Sequence, residues 1–333
     1  MNVYQQPMLP SLCPSPDRVA RPVTVALVQM RWLRDPTRHR QQLEEGVARA
    51  ADAGAEVVFL PELTLSRYPA DQYPTGRADA LAESLETGPT VAFLRELATR
   101  CDLHVHGSLF EATDAPDGRG FNTAVMVDNT GALVAKTRKT HIPVTAGYWE
   151  DHYFAQGPAD NAYPVHQLEL DSGSLPVGLP TCWDEWFPEV ARAYGLGGAA
   201  LLCYPTAIGS EPDYPDFDTA PLWQQTIVGH AITNGLFMVV PNRWGSEGLI
   251  QFYGSSFIVD PFGRLLGRAP RDESCVLVAT LDIAQRHDWL TLFPFFKTRR
   301  PDSYGQLVAP VTSNNRGIPV PSPLDRSDDQ APA

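Results

Sequence analysis

The chain has 333 residues, 43% of them hydrophobic, enough to bury a large core as one big domain or two smaller ones. Its 39 acidic against 26 basic residues give a net charge of -13, which disfavours general affinity for nucleic acid or anionic lipid. Five scattered cysteines (Cys13, Cys101, Cys182, Cys203 and Cys275) fit neither a disulfide framework nor a zinc ribbon, and the eight histidines lack metal-ligand spacing, so no metal or other cofactor is expected.

In chain order, residues 1–20 are rich in proline and lack periodicity, which predicts a flexible arm. They also lack the basic-then-apolar pattern of a signal peptide, and no apolar run reaches eighteen residues, so a cytoplasmic protein that does not engage a membrane is expected. Residues 23–29 predict a strand, Asp35-Pro36 caps a helix with the apolar stripe Leu43, Val47, Ala50 and Ala51, and Gly54 closes it. Residues 57–60 give the next strand, and Glu62 follows at once. A carboxylate there is costly without partners or a task, although taken alone it also reads as an ordinary loop glutamate. Residues 66–87, with Tyr68 and Tyr73, read as a loop over a site with a short helix near 78–85, and Pro89 opens a second helix.

A strand is expected at 103–109, then a hairpin of 122–128 and 132–137 turning at Asn129-Thr130-Gly131. It ends in Lys136, Arg138 and Lys139, a run that would by itself suit a solvated face. Residues 147–154, with Trp149 and Glu150, are aromatic enough for a pocket wall or an interface. A later strand delivers Cys182, followed by Trp183 and by Phe187-Pro188, where a proline can open a helix. Free N–H groups at a helix start would favour a Cys182 thiolate, while a buried structural cysteine fits the same run. Residues 200–203 are a buried strand, with Pro205-Thr206-Ala207-Ile208-Gly209 at its end, where binding loops gather in such folds. A helix at 222–231 and a strand at 236–240 lead to Pro241-Asn242-Arg243-Trp244. A second hairpin (253–260 and 264–266) precedes a last strand at 275–281. Strands thus alternate with helices in two rounds of an α/β fold. The expected organisation is an arm at 1–20, a body at 21–285 and a tail at 286–333. The apolar start of that tail, Trp289 to Phe296, either docks on another subunit or folds back on its own body.

Glu62, Lys139 and Cys182 each follow a strand, and parallel neighbours bring such ends to one edge. A thiol needs a base to become a nucleophile, and Glu62 can take its proton. The oxygen charge that develops on an attacked carbonyl needs fixed positive partners, which Lys139 and the backbone N–H of Trp183 can supply. His141 sits two residues past Lys139 and reads equally as a structural hydrogen-bonder.

Pro61-Glu62-Leu63, Arg138-Lys139-Thr140-His141-Ile142-Pro143 and Cys182-Trp183-Asp184-Glu185-Trp186-Phe187-Pro188-Glu189 resemble, in that order, the three motifs of the nitrilase superfamily of carbon-nitrogen hydrolases, over roughly 23–307. The resemblance implies a four-layer αββα sandwich of one domain, assembled through helices as a homodimer or larger, with a C-terminal tail that reaches across. It implies catalytic Glu62, Lys139 and Cys182, and a second glutamate whose place Glu150 takes. Within the superfamily the chain looks most similar to the N-carbamoylputrescine amidase branch, in Thr140 to Pro143, Cys182 to Glu189, 204–212 and Asn242-Arg243. It departs from that branch at Asp151, at Val144-Thr145-Ala146 and at Trp244. The branch implies a small ureido amide as substrate, giving an amine, carbon dioxide and ammonia. An N-carbamoyl-β-alanine amidase, a nitrilase or an aliphatic amidase are the alternatives. The expected substrate contacts are Tyr68, Trp149, Trp183 and Trp244 along the methylenes and Glu185, Glu247 or Asp151 at a distal ammonium. Thr206, Ala207 and Asn242 would lie on the binding loops, with Arg243 as the clamp of a rival carboxylate substrate.

Overall fold

Residues 1–309 are described, in a computed structural model of the chain. The strand Pro22–Gln29 sends Val23, Val25 and Leu27 into one apolar cluster and Ala26 and Val28 into another. Side chains alternate across a strand, so this one is buried on both faces and reads as a continuous apolar run. Leu201–Cys203 behaves likewise, with Leu201 and Cys203 on one side and Leu202 on the other. The cluster shared by these two strands is the filling between two sheets.

One sheet has seven strands in the order Asn2–Gln6, Cys275–Asp282, Pro22–Gln29, Val57–Phe59, His104–Glu111, Phe121–Val127 and Leu133–Arg138. The other has six, Leu265–Arg268, Phe257–Val259, Phe237–Val240, Leu201–Cys203, Gly173–Gly178 and His166–Leu170. Helices α1 (Pro36–Asp52) and α2 (Pro89–Cys101) bury their apolar stripes on the outer face of the first sheet. Helices α3 (Pro188–Leu196) and α4 (Ala220–Asn234) cover the outer face of the second. The result is the expected four-layer αββα sandwich. Asp35 caps α1 as its sequence predicts, accepting from the Thr37 and Arg38 N–H groups at 2.9 and 3.3 Å.

Parallel pairing in the middle of each sheet aims strand ends at one edge. Pro22–Gln29, Val57–Phe59 and His104–Glu111 run parallel, as do Gly173–Gly178, Leu201–Cys203 and Phe237–Val240. The loops carrying Glu62, Cys182, Thr206 and Asn242 leave from these ends.

The flexible arm expected at 1–20 is in part a strand. Asn2–Gln6 pairs in parallel with Cys275–Asp282 as an outer strand of the seven-stranded sheet. Its side chains are exposed, because an edge strand is held through backbone N–H and C=O groups and needs no apolar face. Further along, Arg18 bridges the buried carboxylates of Asp282 and Asp288. At the other end the compact body runs to Phe293 rather than to 285. Helix α5 (Ala284–Leu292) belongs to it, with the Trp289 indole N–H donating to the Ile232 carbonyl at 2.8 Å. The unit from Pro294 onward holds two short 3-10 turns, Pro301–Ser303 and Gly305–Val308. The remainder of the expected tail, 310–333, lies outside the described residues.

Candidate active site

The basic run at the end of Leu133–Arg138 divides by strand alternation. Lys136 points to solvent, Arg138 pairs with Glu111 at 2.6 Å, and Lys139 turns inward to full burial. The Lys139 ammonium donates to Glu62 Oε1 at 3.0 Å and to both oxygens of Glu150, at 2.9 and 2.7 Å. Burial alone would push this ammonium down, but the Glu150 and Glu62 carboxylates outweigh it and hold the lysine well above its usual range. Glu150 opens the 3-10 turn Glu150–His152 and also accepts from the Tyr68 hydroxyl at 2.8 Å. Burial, countered by Lys139 and reinforced by Glu62, leaves its carboxyl pushed up to about 7.

Glu62 sits in a loop whose carbonyls are tied down by Arg243. That guanidinium donates to the carbonyls of Glu62, Leu63 and Ser66 at 2.7–2.8 Å. Its Nη1 is paired with both oxygens of Glu247, at 2.8 and 2.9 Å. Leu63 is held at a φ of 49°, a left-handed value that a leucine adopts only under such restraint. The Glu62 side chain is anchored by Asn122 as well, whose Nδ2 donates to Oε1 at 2.7 Å.

Cys182 does not lie at the start of α3. It opens a separate 3-10 turn, Cys182–Trp186, with a φ of 42°, and its own N–H is spent on the Pro205 carbonyl at 3.0 Å. Asp184 ties this turn to the lysine strand. Its carboxylate accepts from the N–H groups of Thr181 (3.1 Å) and His141 (2.9 Å) and bonds the His141 ring at 2.7 Å. Burial and the neighbouring Glu62 push the Cys182 thiol well above its usual range, with Lys139 opposing. These surroundings favour the neutral thiol, in contrast to the thiolate that a helix start would favour.

A cavity of about 230 Å³ opens over the site, and both Cys182 and Glu150 line it. Pro143, Trp183, Trp186 and Ile208 give it apolar walls, and Tyr148, Glu211 and Thr219 add polar groups. Of the residues expected to touch substrate, Trp183 lines this cavity and the others do not. Tyr68 is wholly buried beneath Glu150, and Glu185 is wholly buried within the cysteine turn. Thr206 donates to the Pro241 carbonyl at 3.0 Å, and Ala207 is in a core cluster. Asn242 bridges backbone groups of Ile208 and Gly254. Arg243 is consumed as described. Trp149 stacks on Tyr73 at 4.7 Å, and Trp244 donates to Ser274 at 2.9 Å and lies against Arg31.

Asn122 and Glu211 carry weaker signals in the sequence. An amide inside the apolar strand Phe121–Val127 is the signal for the first; for Glu211, in a loop of acidic and turn residues, only its position after Gly209-Ser210 hinted at a wall. Among the described residues no group of three or more His, Cys, Asp and Glu is placed to hold a metal ion, and no helix is long and apolar enough to cross a membrane.

The carbon-nitrogen hydrolase family matches residues 24–290. A citrullinase of Francisella tularensis is 35% identical over 291 residues, 86% of this chain and 98% of that protein. An N-carbamoylputrescine amidase of Solanum lycopersicum is 34% identical over 306 residues, 88% of this chain and 97% of its own. The crystal structure of a carbon-nitrogen hydrolase from Helicobacter pylori G27 superposes with a TM-score of 0.77 at 30% identity, over 86% of this chain and 99% of that one.

Because Arg243 serves the Glu62 loop, Arg243→Met should destabilise the fold by about 3–5 kcal/mol, the usual cost of leaving one member of a buried ion pair alone. Denaturant unfolding of the variant measures it. A change below about 1 kcal/mol would mean that the loop does not depend on this side chain.

Proposed function

The chain belongs to the carbon-nitrogen hydrolase family, and on that premise we propose that it hydrolyses a ureido amide, R-NH-CO-NH₂, whose R group is a short aliphatic amine such as that of N-carbamoylputrescine. Glu62 takes the thiol proton of Cys182 as sulfur bonds to the carbonyl carbon. Lys139 and the Trp183 N–H meet the charge on the carbonyl oxygen, and Glu62 returns the proton to the departing amine nitrogen. Water, deprotonated by Glu62, then cleaves the carbamoyl thioester, and the carbamate falls apart to carbon dioxide and ammonia. Glu150 keeps Lys139 in place and orients the leaving nitrogen or the water. Support for these roles is the common burial of the four side chains and the hydrogen bonds of Lys139 to both glutamates.

The observation that carries the substrate class is the make-up of the cavity. Its lining holds the carboxylates of Glu150 and Glu211 and, among the described residues, no Lys, Arg or His. Glu150 is committed to Lys139, which leaves Glu211, hydrogen-bonded at 3.4 Å by Thr219, for a distal ammonium, with Trp183 and Trp186 along the methylenes. A carboxylate-bearing ureido compound has nothing to pair with, since Arg243 is spent elsewhere. Citrulline, suggested by one relative, carries both charges and is the second reading.

Comparing kcat/KM for N-carbamoylputrescine, citrulline and N-carbamoyl-β-alanine should give the first a preference of about tenfold or more. Glu211→Gln should cost about 10- to 100-fold for the cationic substrate and little for neutral N-butylurea. A wild-type preference for N-carbamoyl-β-alanine would reverse the choice.

If ionised Glu150 is needed to hold Lys139, the acid limb of activity lies near pH 7. The Tyr68 hydroxyl donates to that carboxylate and lowers its proton affinity, so Tyr68→Phe should move the limb upward. One neutral hydrogen bond of about 1 kcal/mol corresponds to about 0.7 of a pH unit. A pH profile of kcat/KM checks both position and direction; an unmoved or lowered limb contradicts the role.

The same reading includes assembly as a homodimer or larger, carried by the family resemblance. Sedimentation equilibrium of the full 36.6 kDa chain should give at least twice that mass; a monomer at micromolar concentration would remove this part.

A further inference from the structure

The two oxygens of Glu62 have different surroundings. Oε1 accepts from Lys139 Nζ at 3.0 Å and from Asn122 Nδ2 at 2.7 Å. Oε2 is buried and has no hydrogen-bond partner among the described residues. The direction of the Asn122 amide follows from the donors behind it. The Leu63 N–H donates to Ser108 Oγ at 3.2 Å, which frees the hydroxyl hydrogen for Asn122 Oδ1 at 3.1 Å. Oδ1 is thereby the accepting end, and the donating end must face Glu62. Asn122 is also fixed through its backbone, since its carbonyl accepts the Lys139 N–H at 2.8 Å.

We propose that Asn122 is a positioning residue that reserves Glu62 Oε2 for proton transfer with Cys182, an assignment that rests on Glu62 being the base. A proton on Oε1 would point at two donors, the ammonium and the amide. The hydrogen that leaves sulfur is therefore held on Oε2: the S–H bond breaks, an O–H bond forms on Oε2, and sulfur bonds to the carbonyl carbon. When the amine departs, that same O–H proton moves to nitrogen and Oε2 is free again. Asn122 gains and loses no proton. Its task is to occupy Oε1 and hold the carboxylate plane so that the unpartnered oxygen is left for the thiol proton, which a lysine on a flexible stem cannot do alone.

Asn122→Leu removes the donor. It should lower kcat by about 10- to 100-fold, as for one hydrogen bond to a charged group, while KM changes less than about threefold. The rate constant for alkylation of Cys182 by iodoacetamide, followed by peptide mass spectrometry and normalised to titratable sites, should fall in parallel, because that reaction needs the same proton removed. Ser108→Ala, which frees the amide to turn over, should show a smaller loss of the same kind and decides the matter if Asn122→Leu does not fold. A lower melting temperature and fewer active sites, with wild-type kcat and alkylation constants per site, would reduce Asn122 to a structural part and overturn the proposal. Glu62→Gln separates the two levels. If it is inactive while Asn122→Leu is normal, only Asn122 is misassigned; wild-type turnover by Glu62→Gln would sink the base itself.

Discussion

A lysine ammonium without access to water is stable only if its charge is answered inside the protein, and Lys139 is answered by two carboxylates at once. That pairing fixes much else. Burial penalises every further charge here, and two carboxylates around one ammonium already leave one negative charge in excess when both are ionised; together these hold the Glu150 proton up to about 7 and make the Cys182 thiol resist ionisation. A site with a surplus of negative charge disfavours a standing thiolate. It suits the proposed step, in which sulfur gives up its proton only as it bonds to carbon and charge moves onto the carbonyl oxygen instead of accumulating on sulfur.

Holding such a cluster together takes a frame that is itself polar. Arg243 neutralises the carbonyls of the Glu62 loop, and Glu247 neutralises Arg243 while accepting the Tyr68 N–H at 2.9 Å. Asp184 gathers N–H groups from both the cysteine turn and the lysine strand. Leu63 and Cys182, next to and at the proposed reacting positions, are two of the five described non-glycine residues whose backbone takes left-handed values. Such conformations cost of order 1–3 kcal/mol each and persist because several hydrogen bonds leave the chain no alternative.

Much of the fold and the central cluster could be read from the sequence. Strands buried on two faces appear as unbroken apolar runs, and Glu62 is conspicuous just after one; Lys139, past the half-exposed strand Leu133–Arg138, and Cys182, which suits a core equally well, stand out through the motif resemblance. The wall of the cavity was far less legible. Thr206, Asn242 and Arg243 also follow apolar strands, but their side chains turn back to satisfy buried backbone groups, and position in sequence does not reveal which way a loop side chain turns. Glu185 was misplaced because the cysteine turn is a 3-10 segment ahead of α3, with a different set of inward-facing positions. Asn2–Gln6 escaped notice because a sheet edge selects backbone and not side chain.

The place of that first strand bears on how the molecule is made. Cys275–Asp282 lies between Asn2–Gln6 and Pro22–Gln29, so two strands from the beginning of the chain are joined by one from near its end. On the ribosome, at roughly 5–20 residues per second, Pro22–Gln29 waits on the order of 10–50 s for that neighbour. During this interval a strand apolar on both faces presents an open edge, the kind of surface that captures other chains. Closure of the first sheet is thus a late event in synthesis, and the nascent protein is most exposed to aggregation just before the partner strand emerges.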